Sequence, residues 1–114
     1  VLGGTKRVKL EISPVAKKKL KEINKMNAPY LLLWYDTEGC GCGVNGIPMI
    51  RFINRLPNNY IEIENEEYKT VMEEQQATFF SDKMKLTVVN GMFRLTSPEG
   101  ILNPFLPDRR VLNG

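Results

Sequence analysis

Apolar and polar positions alternate with a period of two in several short stretches of this chain, and with a helical period in one. Val8-Lys9-Leu10-Glu11-Ile12 alternates and predicts a half-buried strand. Ser13-Pro14 then supplies a helix start, serine as the N-cap and proline at the first helical position. Ala16, Leu20 and Ile23 recur at helical spacing, so one face packs inward while Lys17, Lys18, Lys19, Lys21 and Lys25 point out. Asn24 to Pro29 ends the helix. Tyr30 to Tyr35 is apolar without alternation, as expected of a strand covered on both faces.

A second strand is predicted over Ile47–Ile53, with Pro48 near its start, where a missing N–H is tolerated. Leu56-Pro57-Asn58-Asn59 reads as a turn, and Tyr60 to Glu64 alternates again. Tyr68 to Met72 is assigned to strand and Glu73 to Phe80 to a short helix. Lys83–Val89 and Met92–Thr96 form a hairpin about Asn90-Gly91, a two-residue turn signal. Ser97 to Gly100 turns the chain, and the tail Ile101–Pro107 is apolar but broken by prolines, so it is expected to lie extended over the core. The pattern is one α+β domain, mostly β, with six to seven short strands and one main helix. Residues 6–114 are taken as that domain, and residues 1–5 as a cloning remnant or a disordered start.

Composition narrows the function classes. A chain of 114 residues, 42% hydrophobic and 25% charged, is long enough to bury a core. It has no apolar run of the roughly 20 residues that a membrane span needs. The net charge of +3 is uneven, with the basic excess in the first half and mainly on the lysine-rich helix. No aromatic or arginine cluster interleaves with those lysines, so they read as a solvated face and not as a nucleic-acid surface. Glu62 and Glu64 share one strand face; a solvent-facing row accounts for them better than a metal pair. The chain holds no histidine, which excludes Ser-His-Asp and Cys-His catalysis and histidine zinc sites within one chain.

Chemistry concentrates in one stretch, Glu38-Gly39-Cys40-Gly41-Cys42-Gly43-Val44-Asn45-Gly46-Ile47-Pro48. It holds both cysteines of the chain and four of its nine glycines. Cysteines one residue apart are poor material for a disulfide, because the bridge would be strained. That usage fits a reducing compartment, the cytoplasm. Two thiols in a glycine-rich turn can bind a soft metal or an iron–sulfur cluster. A glycine-rich hairpin loop that carries two small residues accounts for the same letters. A reactive thiol would need a base or an electropositive setting; the loop offers neither, and Asp36 and Glu38 oppose a thiolate. No enzyme is expected.

Taken in order, these elements resemble the HesB/IscA-like (A-type) iron–sulfur cluster biosynthesis family. The features are the opening strand, the Ser13-capped helix, a strand running into Gly39-Cys40 and another leaving it. The acidic strand Ile61-Glu62-Ile63-Glu64, the late hairpin and Gly100-Ile101-Leu102-Asn103-Pro104, similar to the family's Asn-Pro segment, complete the series. The run from Gly39 to Pro48 further resembles a small Gram-positive branch. The resemblance implies a compact β-sandwich with the helix alongside, commonly self-associating, that binds iron or a cluster through three cysteines. Cys40 matches the loop cysteine, whereas the C-terminal Cys-Gly-Cys is missing and Phe105 to Arg110 stands in its place. The metal or cluster ligands expected here are therefore Cys40 and Cys42, shared across a homodimer, with iron or an iron–sulfur cluster bound and zinc as the alternative. Partners would be cluster-assembly proteins or recipient apo-proteins. The competing expectation is a non-catalytic interaction domain that keeps the fold without the cluster, its site unoccupied.

Overall fold

The computed structural model describes residues 7–36 and 46–113. Among these described residues, eight strands form two four-stranded sheets. One sheet holds β1 (Lys9–Ile12), β6 (Lys83–Val89), β7 (Met92–Ser97) and β8 (Gly100–Leu106), in that spatial order. The other runs β3 (Ile47–Ile53), β2 (Tyr30–Asp36), β5 (Lys69–Glu73) and β4 (Tyr60–Ile63). The α+β, mostly β expectation therefore holds, with eight strands in place of six or seven.

The helix α1 (Pro14–Ile23) begins as its sequence demands. The Ser13 hydroxyl accepts the Ala16 N–H at 3.2 Å, and Pro14 opens the first turn. Ala16 and Leu20 are fully buried and the lysines line the outer face, two of them paired: Lys17 with Glu67 and Lys19 with Asp108, both at 3.2 Å. The tight turn at Asn90-Gly91 has φ of 52° and 79°, the left-handed geometry that a two-residue hairpin with matching twist requires. The apolar run of β2 is buried on both faces, Leu31, Leu32 and Leu33 in succession. Glu62 and Glu64 face solvent, and Glu62 lies 3.7 Å from Lys69.

Apolar side chains from both sheets fill the space between them, with Leu10, Leu31, Leu33, Ile50, Met72, Leu86, Phe93, Leu95 and Leu106 all inaccessible or nearly so. Each buried aliphatic or aromatic side chain of this kind contributes on the order of 2 kcal/mol. The two sheets are also stitched along both margins. At one, β1 reaches past its parallel partner β6: the Leu10 N–H donates to the Glu64 carbonyl and the Glu64 N–H to the Val8 carbonyl, each at 2.9 Å. At the other, a side chain makes the stitch. Asn103 of β8, 4% exposed, donates from Nδ2 to the Pro48 carbonyl of β3 at 2.8 Å.

The tail departs from the expectation of a segment merely draped on the core: it is a paired edge strand. Its prolines are tolerated because β8 bulges against β7, with register shifts between Phe93 and Leu95 and between Leu95 and Thr96. A bulge leaves a residue unpaired, which suits Pro104. The Asn103 Oδ1 accepts the Phe105 N–H at 3.2 Å and so closes the irregular backbone locally. Beyond Pro107 lies a second helix, α2 (Asp108–Asn113), which the periodicity did not predict because six residues are too few to show it. It packs against β3 through the fully buried Val111.

Removing the Asn103 amide would strand a buried carbonyl and a part-buried N–H. Asn103→Ala is expected to destabilise by about 2–3 kcal/mol. Asn103→Asp, which still accepts but turns an anionic oxygen on the Pro48 carbonyl, is expected to cost at least as much at neutral pH. Urea unfolding of the three proteins measures both.

Candidate functional site

The hairpin of β2 and β3 is the stem of the glycine- and cysteine-rich loop. Its register runs from Tyr30 opposite Ile53 to Asp36 opposite Ile47. Cys40 and Cys42, the expected ligands, lie outside the described residues. The structure does define how both ends of the loop are held, at Asp36 and at Gly46.

The rung next to the loop pairs Tyr35 with Pro48. At this rung the backbone groups of each residue turn away from the partner strand. On the β2 side the neighbour β5 pairs only as far as Met72, opposite Leu33, and the chain then turns into the 3-10 helix Glu74–Phe79. The carboxamide of Gln76 completes the missing rung. Its Oε1 accepts the Tyr35 N–H at 3.1 Å and its Nε2 donates to the Tyr35 carbonyl at 3.4 Å. On the β3 side the outward-facing carbonyl of Pro48 takes the Asn103 carboxamide already described. The nitrogen of Pro48 faces that same outer edge, so proline costs the stem no ladder bond.

Side chains lock the rung further. The Tyr35 ring stacks on Phe79 at 4.4 Å between centroids, nearly parallel, and meets Phe80 edge-on at 6.3 Å. The Tyr35 hydroxyl accepts the Gly46 N–H at 3.1 Å, which ties the far end of the loop to the near strand. Gly46 is glycine for want of room. A Cβ there would overlap the Tyr35 ring and lie 2.9 Å from the Asp36 carbonyl oxygen. Asp36, the last described residue before the loop, is held by Arg110 of α2 through an ion pair of 3.0 Å. The Asp36 side chain is 14% exposed and that of Arg110 38%, so water screens the pair only in part.

Three elements thus converge on the stem: the 3-10 helix through Gln76 and Phe79, which meet the stem's own Tyr35, β8 through Asn103, and α2 through Arg110. The strand that carries Tyr35, the short helix that carries Gln76 and Phe79, and the Asn-Pro pair at Asn103 are all legible in the sequence; the contacts these side chains make are not. Gln76 sits in a run of polar letters, Glu73-Glu74-Gln75-Gln76, where nothing distinguishes it. Arg110 belongs to a helix too short for its period to register. Asp36 reads in the sequence only as a charge beside the thiols. Among the described residues no group of three or more histidine, cysteine, aspartate or glutamate side chains could hold a metal ion, and none of their helices is long and apolar enough to cross a membrane.

Comparison with known proteins places this geometry. A sequence profile for iron-sulphur cluster biosynthesis matches residues 8–107. YqkB, an uncharacterized protein of Bacillus subtilis, is 32% identical over 74 residues, 63% of this chain and 69% of its own. Among solved structures, a Lactobacillus acidophilus protein assigned to Fe-S biosynthesis superposes with a TM-score of 0.71 at 20% identity, over 88% of this chain and 87% of its own. IscA, solved with a [2Fe-2S] cluster, superposes with a TM-score of 0.60 at 13% identity, over 84% of this chain and 97% of its own. The likeness to these two structures is one of fold.

Gly46→Ala should force the Tyr35 ring off Phe79 and cost about 1–3 kcal/mol, the usual penalty of overpacking. Tyr35→Phe keeps the stacking and loses one hydrogen bond, for about 1 kcal/mol. Thermal unfolding, with both variants on one baseline, checks that order.

Proposed function

The chain belongs to the iron-sulphur cluster biosynthesis family, and from that premise we propose that it carries iron or an iron–sulfur cluster on Cys40 and Cys42. The observation that supports the proposal is the position of the chain's two thiols, between the two locked ends of one stem, Asp36 and Gly46. A stem closed by two carboxamides, a tyrosine hydroxyl and an ion pair is a rigid base for a glycine-rich turn. Glycines let such a turn bring backbone N–H groups close to thiolates and sulfide, where they donate hydrogen bonds.

Two thiolates are half of the four protein ligands that a [2Fe–2S] cluster usually takes. We infer that two chains meet loop to loop and supply four. The cluster is cargo in this reading, received from assembly proteins and passed to apo-proteins, and the chain is a carrier with no catalytic step of its own. Support runs to iron and sulfide; none of it runs to zinc. Thiols that carry cargo of this kind must stay reduced, which favours the cytoplasm. One observation favours a second reading, an interaction domain that keeps the fold without the cluster. After Asn103-Pro104 the chain builds α2 and brings Arg110 to the stem, with no further thiol.

Anaerobic reconstitution with ferrous iron and sulfide separates the two. The carrier reading expects a visible charge-transfer absorption that Cys40→Ser and Cys42→Ser each reduce several-fold and the double variant abolishes. An absorption unchanged in the double variant, or none in the wild type, supports the interaction domain.

A further inference from the structure

We propose that Arg110 is a positioning residue for the loop, and that α2 is the strap through which it acts. The proposal rests on the reading that the loop is the working part of the molecule, and goes beyond it by assigning a task to the C-terminal helix. Three contacts tie α2 to separate parts of the fold. Asp108 pairs with Lys19 of α1 at 3.2 Å, Val111 is buried without exposure against the core, and Arg110 pairs with Asp36 at 3.0 Å. The helix therefore spans from α1 to the last described residue ahead of the loop.

The ion pair is placed where leverage on the loop is greatest. Asp36 stands opposite Ile47, the outermost rung of the stem, one step beyond the rung that Gln76 and Asn103 close. At that rung the described backbone has no strand beyond β2 or β3 to continue the sheet. A frayed outer rung would lengthen the loop by two residues and let both thiols wander. Holding Asp36 from α2 suppresses that fraying. The Arg110 Nε is buried without a hydrogen-bond partner among the described residues, and the guanidinium reaches Asp36 through Nη2. Its neighbour Arg109 is exposed and lies on the same short helix with the same charge. The two arginines thus form a matched pair, one engaged with the stem and one not.

That pairing supplies the test. Amide hydrogen exchange at Gly46 and Ile47, and the alkylation rate of the loop thiols, are measured in metal-free protein for wild type, Arg110→Gln, Arg110→Lys and Arg109→Gln. The strap expects Arg110→Gln to raise exchange at the two stem amides and thiol alkylation by about three- to five-fold, the range one partly buried ion pair supports. Exchange in β6 and β7 should stay at the wild-type rate. Arg109→Gln should leave every rate unchanged, and Arg110→Lys should recover part of the protection. Equal effects of Arg110→Gln and Arg109→Gln would overturn the proposal by reducing it to net charge. A uniform rise through β6 and β7 would overturn it by reducing it to global stability. Because no iron is present, the outcome is independent of whether the loop carries a cluster.

Discussion

The Tyr35–Pro48 rung is the constraint on which the rest of the molecule turns. Its backbone groups face outward from both strands, into places where no strand of the described residues meets them. A buried N–H or carbonyl left unpaired costs about 1–3 kcal/mol, and an edge that opens there would unzip toward Leu33 and Ile50 in the core. Two carboxamides solve the problem from opposite sides, Gln76 on Tyr35 and Asn103 on Pro48. Each comes from a segment that is irregular for that reason: a 3-10 turn that replaces the end of β5, and a bulged strand that carries a proline. The irregularities and the stem are one arrangement.

The same rung joins fold to function. Asn103 links the two sheets at the margin opposite the Leu10–Glu64 stitch, so the core closes around the point where the loop departs. Stability near the loop is therefore shared with the whole β assembly. The loop is rich in glycine, and its two ends are held at Asp36 and Gly46.

Much of this was legible in the letters. Period-two alternation located β1, β4 and the β6–β7 hairpin to within a residue or two, and Ser13-Pro14 marked the main helix, because these signals are local and each residue's partner lies within a few positions. The unbroken apolar run of β2 announced burial on both faces. What could not be read is long-range and polar. Gln76 reaches 41 residues along the chain to Tyr35, and Arg110 reaches 74 to Asp36. No periodicity encodes such contacts, and the glutamine in particular looks like any other solvated side chain. The strand in the tail is hidden from the sequence for a physical reason as well. Prolines argue against a strand in general, but they are tolerated at a bulge on an edge, and β8 is such an edge.

The central claim is that two thiols on a locked stem form half of a shared site. Native mass spectrometry of protein purified without oxygen addresses it most directly, because mass reports chain number and cargo together. The account predicts a species of two chains carrying two iron and two sulfide, replaced by bare single chains when both cysteines are serine. Bare single chains from the wild-type protein, before and after reconstitution, would contradict it.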